Sequence, residues 1–297
     1  MPELPEVETI ARGINKRVAG DTIDSVWIGS KKQPLKSPAG VIASTLEGKR
    51  ILQVHRAGKH IVLDLGESPG SLSAVRVKRN RRAVRGQTRQ AASLQTAQWI
   101  VHLGMTGRLV VCEPTAEVAK HTHLIAKLTS GRELRFIDPR MFGKLSVHLQ
   151  SESGGFDPGG LEPLEASEEQ FIALFRRRKT PIKSALLNQK LLRGVGNIYA
   201  DESLFRSGIR PRRRATTLTR MQLAKLHRAV QDVLREAIRL GGSSISDYVD
   251  ADGEEGFFQL QHRVYGRESE PCLVCGTAIR RVVLSGRSSH YCSNCQK

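Results

Sequence analysis

An α+β fold in three consecutive parts is what the sequence predicts: a helix leading a β-sandwich or barrel, then a run of helices, then a small metal-bound hairpin. Three observations carry this reading. Short β-branched segments separated by turn signals fill residues 22 to 149. After residue 160, two capping-box tetrapeptides open stretches with helical apolar spacing. Four of the five cysteines fall near the C-terminus as two C-x2-C pairs.

Residues 5–18 predict a helix, because Val7, Ile10, Ala11, Ile14 and Val18 share one face and Pro5 suits a first turn. Gly20-Asp21 ends it. The stretch ILQVHRAGKHIVLDL (51–65) is apolar and β-branched and is broken at Gly58. Trp99-Ile100-Val101 leads into HLGMTGRLVV, and HLIAKLTSGRELRFID (123–138) alternates around a Ser130-Gly131 turn. Cys112 sits alone on an apolar strand and reads as a core residue. Between the strands lies VRVKRNRRAVRGQTRQ (75–90), with seven basic residues and no acid, the centre of an insertion at about 68–98. It is either a solvated loop or a phosphate contact.

SESGGFDPGG (151–160) is a linker by composition. Ser167-Glu168-Glu169-Gln170 and Thr219-Arg220-Met221-Gln222 are the two capping boxes. The second opens a long helix with an apolar stripe from Leu223 to Ile238, stopped by Gly241-Gly242. Between the two lies Gly194-Val195-Gly196-Asn197, a turn that either joins two helices tightly or lets backbone N–H groups approach a phosphate. The domains are therefore expected at 1–150, 151–241 and 242–297.

Charge bounds the partner. Lys and Arg number 47 against 29 acids, a formal net charge of +18 on 297 residues. Such a chain meets a polyanion, with nucleic acid foremost. No apolar run approaches the ~18 residues that span a membrane, and no signal-peptide core opens the chain, so a cytosolic protein without a membrane partner is expected. In that compartment the cysteines suggest metal and not disulfides. Cys272, Cys275, Cys292 and Cys295 suit one tetrahedral Zn²⁺. With four thiolates no position stays open for water, so the zinc is structural. Arg280, Arg281 and Arg287 would ride on its hairpin.

Taken together, PELPEVE, HLGMTGRL (102–109), HTHL (121–124), DPRMFG (138–143), GVGNIYADE (194–202) and VYGR before the cysteines (264–295) occur in one order. In this the chain resembles the bacterial formamidopyrimidine-DNA glycosylase family from end to end. The related endonuclease VIII branch typically starts PEGPE; Leu4, Met105 and Phe142 favour the formamidopyrimidine branch. The resemblance implies a β-sandwich N-terminal domain, a helix–two-turns–helix motif and a zinc finger. It also implies a monomeric bacterial enzyme of the cytoplasm, bound to the nucleoid when on DNA. Such an enzyme excises oxidised purines from damaged double-stranded DNA and then cleaves the strand.

What the resemblance implies for single residues fits the chemistry required. Breaking the base–sugar bond at C1′ calls for an amine nucleophile. A lysine has a reference pKa near 10.4, against roughly 7.7–8.0 for an α-amino group. With Met1 removed, Pro2 presents a secondary amine that condenses directly to an iminium, an electron sink for β- and δ-elimination. By resemblance Pro2 is the nucleophile and Glu3 the general acid/base at the sugar ring oxygen. Glu8 reads as favourable charge near a helix N-terminus, and Glu6 stays open between scaffold and a supporting role. Lys59, Asn197, Tyr265 and Arg287 match residues that hold the DNA backbone at the lesion. Met105, Arg140 and Phe142 match those that fill the gap left by the flipped base; without the match, Met105 and Phe142 would read as core. His102, His121 and His123 do not form a complete metal set and are expected in phosphate contacts or core hydrogen bonds. Residues 242–258 match the lesion-recognition loop. Two features depart from the family: Met141 stands where a second arginine is usual, and the basic insertion replaces a short turn. Two rivals remain at this level. One is an endonuclease VIII-type enzyme for oxidised pyrimidines, and the other a non-catalytic zinc-ribbon protein that binds nucleic acid.

Overall fold

Helix α1 (Leu4–Val18) forms where the spacing predicts it: Val7, Ile10, Ala11, Ile14 and Val18 are each 3% exposed or less. Lys16 and Arg17 lie in its last turn, where the helix dipole favours cations. The structure is a computed structural model and describes residues 1–68, 95–149, 154–243 and 256–297. The basic stretch at 75–90 and most of the loop expected at 242–258 lie outside the described residues.

Two compact units arise. One comprises Ala11–His55 and Ile61–Phe156; the other comprises Met1–Ile10, Arg56–His60 and Asp157–Lys297. The segments that carry Glu3 and Lys59 thus belong with the helices and the zinc hairpin.

Among the described residues the unit with Ala11–His55 and Ile61–Phe156 holds two four-stranded sheets. One has the order β1 (Ile23–Ile28), β6 (Thr122–Leu128), β7 (Glu133–Ile137), β5 (Arg108–Cys112). The other has the order β2 (Lys49–Ala57), β3 (His60–Glu67), β4 (Gln95–His102), β8 (Lys144–Leu149). A short helix, α2 (Ala39–Leu46), lies between β1 and β2 in sequence. Strands β6 and β7 are the predicted hairpin, turned through Gly131 at φ 90°. Trp99, Phe136, Leu63, Leu124 and Leu46 are fully buried in this unit. Cys112 is not the core residue the sequence predicts. It ends β5, an edge strand, and is only half-buried; an edge leaves one flank of the strand uncovered.

In the second unit, α3 (Glu168–Phe175), α4 (Ile182–Leu186), α5 (Asn197–Ser207) and α6 (Arg220–Arg239) share one core with Leu4. Both capping boxes close reciprocally, Ser167 with Gln170 and Thr219 with Gln222. Each cap contributes about 1 kcal/mol. Each buried Leu, Val or Ile of the α6 stripe contributes roughly 1.5–3 kcal/mol. Packing therefore outweighs capping in holding α6. Beyond it Gly241 and Gly242 take φ 77° and 87°, the left-handed stop the sequence signals. The zinc hairpin pairs β9 (Ile279–Leu284) with β10 (Arg287–Cys292). Its two loop residues, Ser285 and Gly286, both have positive φ (49° and 75°), the tight turn that matches strand twist. Among the described residues no helix is long and apolar enough to cross a membrane.

Candidate active site and metal centre

Glu3 precedes α1 and is buried. Its carboxyl lies against the glycine turn before α5. A Cβ added at Gly196 would stand 2.1 Å from the Glu3 carboxyl carbon, so only glycine fits there. The Ile198 N–H donates to Glu3 Oε1 at 3.2 Å, while Oε2 is buried with no partner among the described residues. Burial pushes the Glu3 pKa up from 4.5 to about 7; Lys59 opposes the shift and neighbouring Glu6 adds to it. A pocket of about 230 Å³ opens here, lined by Met1, Glu3, Gly196, Asn197, Ile198, Tyr265 and Arg287. Pro2, between two lining residues, is half-buried. Gly196→Ala is expected to lower the urea midpoint by a loss of about 1–3 kcal/mol at unchanged slope, since neither the carboxyl nor the helix start can yield freely. Gly40→Ala, which meets nothing within 4 Å, should not lower it; equal midpoints for the two variants would show that the Glu3–Gly196 packing is loose.

Glu6 is a junction. It accepts from Glu3 N (2.8 Å), from Ser243 N (2.8 Å) and from the Tyr199 hydroxyl. It thereby ties the backbone of Glu3 to α5 and to the chain leaving α6. Burial raises its pKa, and these three donors act against the rise.

Lys59 lies in the turn between β2 and β3, next to Gly58 at φ 60°, and is buried. Desolvation lowers its pKa; Glu3 counteracts this and Arg287 reinforces it. Its turn is held by Arg56, which donates to both Glu162 oxygens (3.0 and 2.9 Å), to Glu8 (2.8 Å) and to the Gly58 carbonyl (3.2 Å). Glu8 is therefore more than a helix-end charge. It is the partner of a nearly buried guanidinium. Arg193, just before the glycine turn, joins the same Glu162 at 3.2 Å.

Asn197, the first residue of α5, donates through Nδ2 to Ser288 Oγ at 3.3 Å. Arg287, the first residue of β10, is exposed. The sequence reading missed what holds these residues. Asp201, fully buried, pairs with Lys183 at 2.7 Å and accepts from His290 N at 2.9 Å. Lys183 also donates to the Ser288 carbonyl at 2.6 Å. Glu202 accepts the N–H groups of Arg263, Val264 and Tyr265 at 2.9–3.1 Å. The Tyr265 ring stands edge-on to His262 and His290, with centroids 5.7 and 5.1 Å away. The paired acids in GVGNIYADE were the available signal: two carboxylates on an otherwise apolar helix start need buried partners.

The other unit carries a second group. Asp138 binds two loops together: it accepts from Thr106 Oγ1 at 2.6 Å, Gly143 N at 2.7 Å and Arg140 N at 3.3 Å. Gly104, at φ 66°, has room for no Cβ, which would come within 2.5 Å of the Phe142–Gly143 backbone. On these loops Met105 and Phe142 are 44% and 45% exposed, against the core reading of composition alone. The Arg140 guanidinium lies 4.8 Å over the Phe142 ring. Met141 takes φ 54°. His102 Nδ1 accepts from Gly104 N at 3.1 Å, His121 is exposed, and buried His123 meets the Asp138 carbonyl at 2.9 Å.

The metal centre is the cysteine cluster. The sulfurs of Cys272, Cys275, Cys292 and Cys295 lie within 4.8 Å of one another. Three separations are 3.9, 3.5 and 3.4 Å, near the roughly 3.8 Å edge of a tetrahedron with Zn–S bonds of about 2.3 Å. Backbone N–H groups of Val274 and Cys295 point at the sulfurs of Cys272 and Cys292, which suits thiolates. The donor set fits one structural Zn²⁺, and it is closed.

Comparison with known proteins agrees along the whole chain. Residues 1–145 match the Formamidopyrimidine-DNA glycosylase N-terminal domain, 160–249 the Formamidopyrimidine-DNA glycosylase H2TH domain, and 269–297 the zinc finger found in FPG and IleRS. The formamidopyrimidine-DNA glycosylase of Solibacter usitatus is 42% identical over 303 residues, covering 100% of both chains. A Lactococcus lactis Fpg variant, solved with DNA containing Fapy-dG, superposes with a TM-score of 0.83 at 30% identity, covering 100% of both chains. The MutM (Fpg) protein of Thermus thermophilus superposes with a TM-score of 0.79 at 36% identity, covering 99% of this chain and 98% of that one.

Proposed function

The chain belongs to the formamidopyrimidine-DNA glycosylase family, and from that membership we propose that it removes oxidised purines from double-stranded DNA and then cleaves the strand at the abasic site. The observation that carries the reading is the buried Glu3 carboxyl, with a pKa raised to about 7, in a pocket shared with the chain's N-terminal residues and with Arg287.

The reaction assigned to these groups runs as follows. With Met1 removed, the Pro2 nitrogen attacks C1′ of the damaged nucleotide. The base departs with the electron pair of its glycosidic bond and takes up the proton that the Pro2 nitrogen loses. Protonated Glu3 gives its proton to the sugar ring oxygen as the C1′–O bond opens, leaving an iminium between Pro2 and C1′. Loss of a C2′ proton then expels the 3′ phosphate, and a second elimination expels the 5′ phosphate. Hydrolysis returns the free amine. Lys59, Asn197, Tyr265 and Arg287 hold the backbone of the flipped nucleotide. Met105, Arg140 and Phe142 occupy the space it leaves in the duplex, replacing stacking whose loss costs a few kcal/mol. The uncharged Met141 side chain leaves this reading without one phosphate or partner-strand contact that an arginine would supply.

Borohydride reduction of the protein on an 8-oxoguanine duplex is expected to trap a covalent adduct on the N-terminal peptide. An adduct at Lys59, or none on any oxidised duplex, would overturn the assignment.

A further inference from the structure

Two basic segments outside the pocket lie side by side. Residues 176–179 read Arg-Arg-Arg-Lys and residues 212–214 read Arg-Arg-Arg, with no acid in either. They are joined by a short backbone ladder. Thr216 N donates to the Arg178 carbonyl at 2.8 Å, Ala215 N to Thr180 at 3.1 Å and Ile182 N to Arg213 at 2.7 Å, with Pro181 bridging Arg214. Seven positive charges therefore share one small surface. Six of the seven are exposed and Arg213 is half-buried. No ion pair to any of the seven occurs among the described residues. Two are braced by the backbone instead: Arg178 donates to the Leu174 carbonyl at 2.7 Å and Arg213 to the Thr217 carbonyl at 3.1 Å.

Crowding seven like charges without counter-ions is unfavourable unless an external anion offsets the repulsion. The direction of the surface identifies that anion. The first segment of the ladder runs through Pro181 into α4, whose Ser184 hydroxyl meets Ser285 at 3.1 Å in the zinc-hairpin turn. Two residues on is Arg287, in the pocket wall. One continuous face thus leads from the pocket, over the hairpin turn, to the basic ladder. We infer that this ladder is an accessory phosphate track that grips duplex DNA flanking the damaged nucleotide and sets the affinity for undamaged duplex. The inference rests on the DNA reading above. It assigns these residues no part in base removal.

The test uses the full-length, zinc-loaded protein carrying Arg176→Gln, Arg177→Gln, Lys179→Gln and Arg214→Gln. Arg178 and Arg213 are kept because they brace the backbone, and the four replaced side chains are exposed, so folding is preserved. Each phosphate contact contributes about 0.9 to the slope of log K against log salt on undamaged duplex. The variant slope is expected to be smaller by about 2 to 4. Single-turnover excision at saturating enzyme should stay within about twofold of the parent. The pair Arg176→Gln, Arg177→Gln alone should show about half the slope change. An unchanged slope would overturn the proposal. So would an excision rate that falls as far as the affinity, which would move the residues into the site itself, or a loss confined to anionic vesicles. If the parent protein excises nothing, the reading of the pocket fails; the slope comparison still decides the track.

Discussion

Glu3→Gln is expected to yield a protein that melts higher than its parent and no longer releases bases. Loss of a positioned proton donor lowers such rates by about 10²–10⁴. The gain in stability follows from the raised pKa of Glu3. The folded state holds the proton up to about pH 7, whereas the unfolded chain releases it near 4.5. Proton binding by Glu3 therefore supports the fold fully below pH 4.5, and that support fades as pH rises to about 7. At roughly 1.4 kcal/mol per pKa unit, the native protein forfeits up to about 3 kcal/mol across this window. Glutamine keeps the acceptor for Ile198 N–H and carries no charge to desolvate. The variant's advantage should be largest at pH 8 and vanish near pH 4.5. The Lys59 attraction, which acts against the rise, is already contained in this amount. The same ionisation predicts that parental base release declines above about pH 7, with Glu3 acting as the acid. Melting curves at both pH values check the first point and single-turnover rates the second. A variant less stable than its parent at pH 8 would show that the carboxylate charge is not penalised by burial.

Stripping the zinc is expected to abolish tight DNA binding while most of the helical signal survives. A structural zinc contributes about 10–16 kcal/mol of apparent binding free energy, comparable with the entire stability of a domain. Besides its polar ties to Asn197, Lys183 and Asp201, the hairpin has only a small apolar core of Phe205, Val264 and Ile279 with Cys272 and Cys292 among the described residues. Two of those five are the ligands themselves. Without metal, β10 separates and Arg287 leaves the pocket wall. His290 also withdraws from Asp201 and Tyr265 loses a ring neighbour. The α3–α6 core contains none of the cysteines and keeps its helices. Circular dichroism and DNA titration before and after chelation check both halves of the expectation. Undiminished binding by zinc-free protein would contradict the role given to Arg287.

What the sequence revealed was governed by distance along the chain. The capping boxes at Ser167 and Thr219, the α6 stripe and the cysteine knuckles are local patterns, and each appears where predicted. The site itself is made of contacts that no local pattern encodes. Glu3 meets Gly196 and Ile198 from the far side of the sequence; burial there raises its pKa, while the Ile198 N–H acts against the rise. The two glycines of GVGN left a tight turn or a phosphate approach open; the requirement that the Glu3 carboxyl places on Gly196 is a further one that no local pattern shows. Glu6 stays open between scaffold and a supporting role; what the fold adds is that it accepts from Glu3, Tyr199 and Ser243, contacts far apart in sequence. Glu162 reads as an ordinary surface acid until its buried partners are seen, whereas Asp201 and Glu202 are signalled only by standing as a pair beside apolar neighbours. Met105 and Phe142 show the opposite limit. Composition places them in a core, motif order places them on a working surface, and their exposure agrees with the motif.

The pocket wall takes residue 3 from the beginning of the chain, residues 196–198 from its middle, and residues 265 and 287 from near its end. A ribosome therefore releases the chemically complete form only when translation is all but finished. Nascent or truncated chains that stop before Tyr265 carry the amine and the carboxyl but lack the wall that would hold a nucleotide against them.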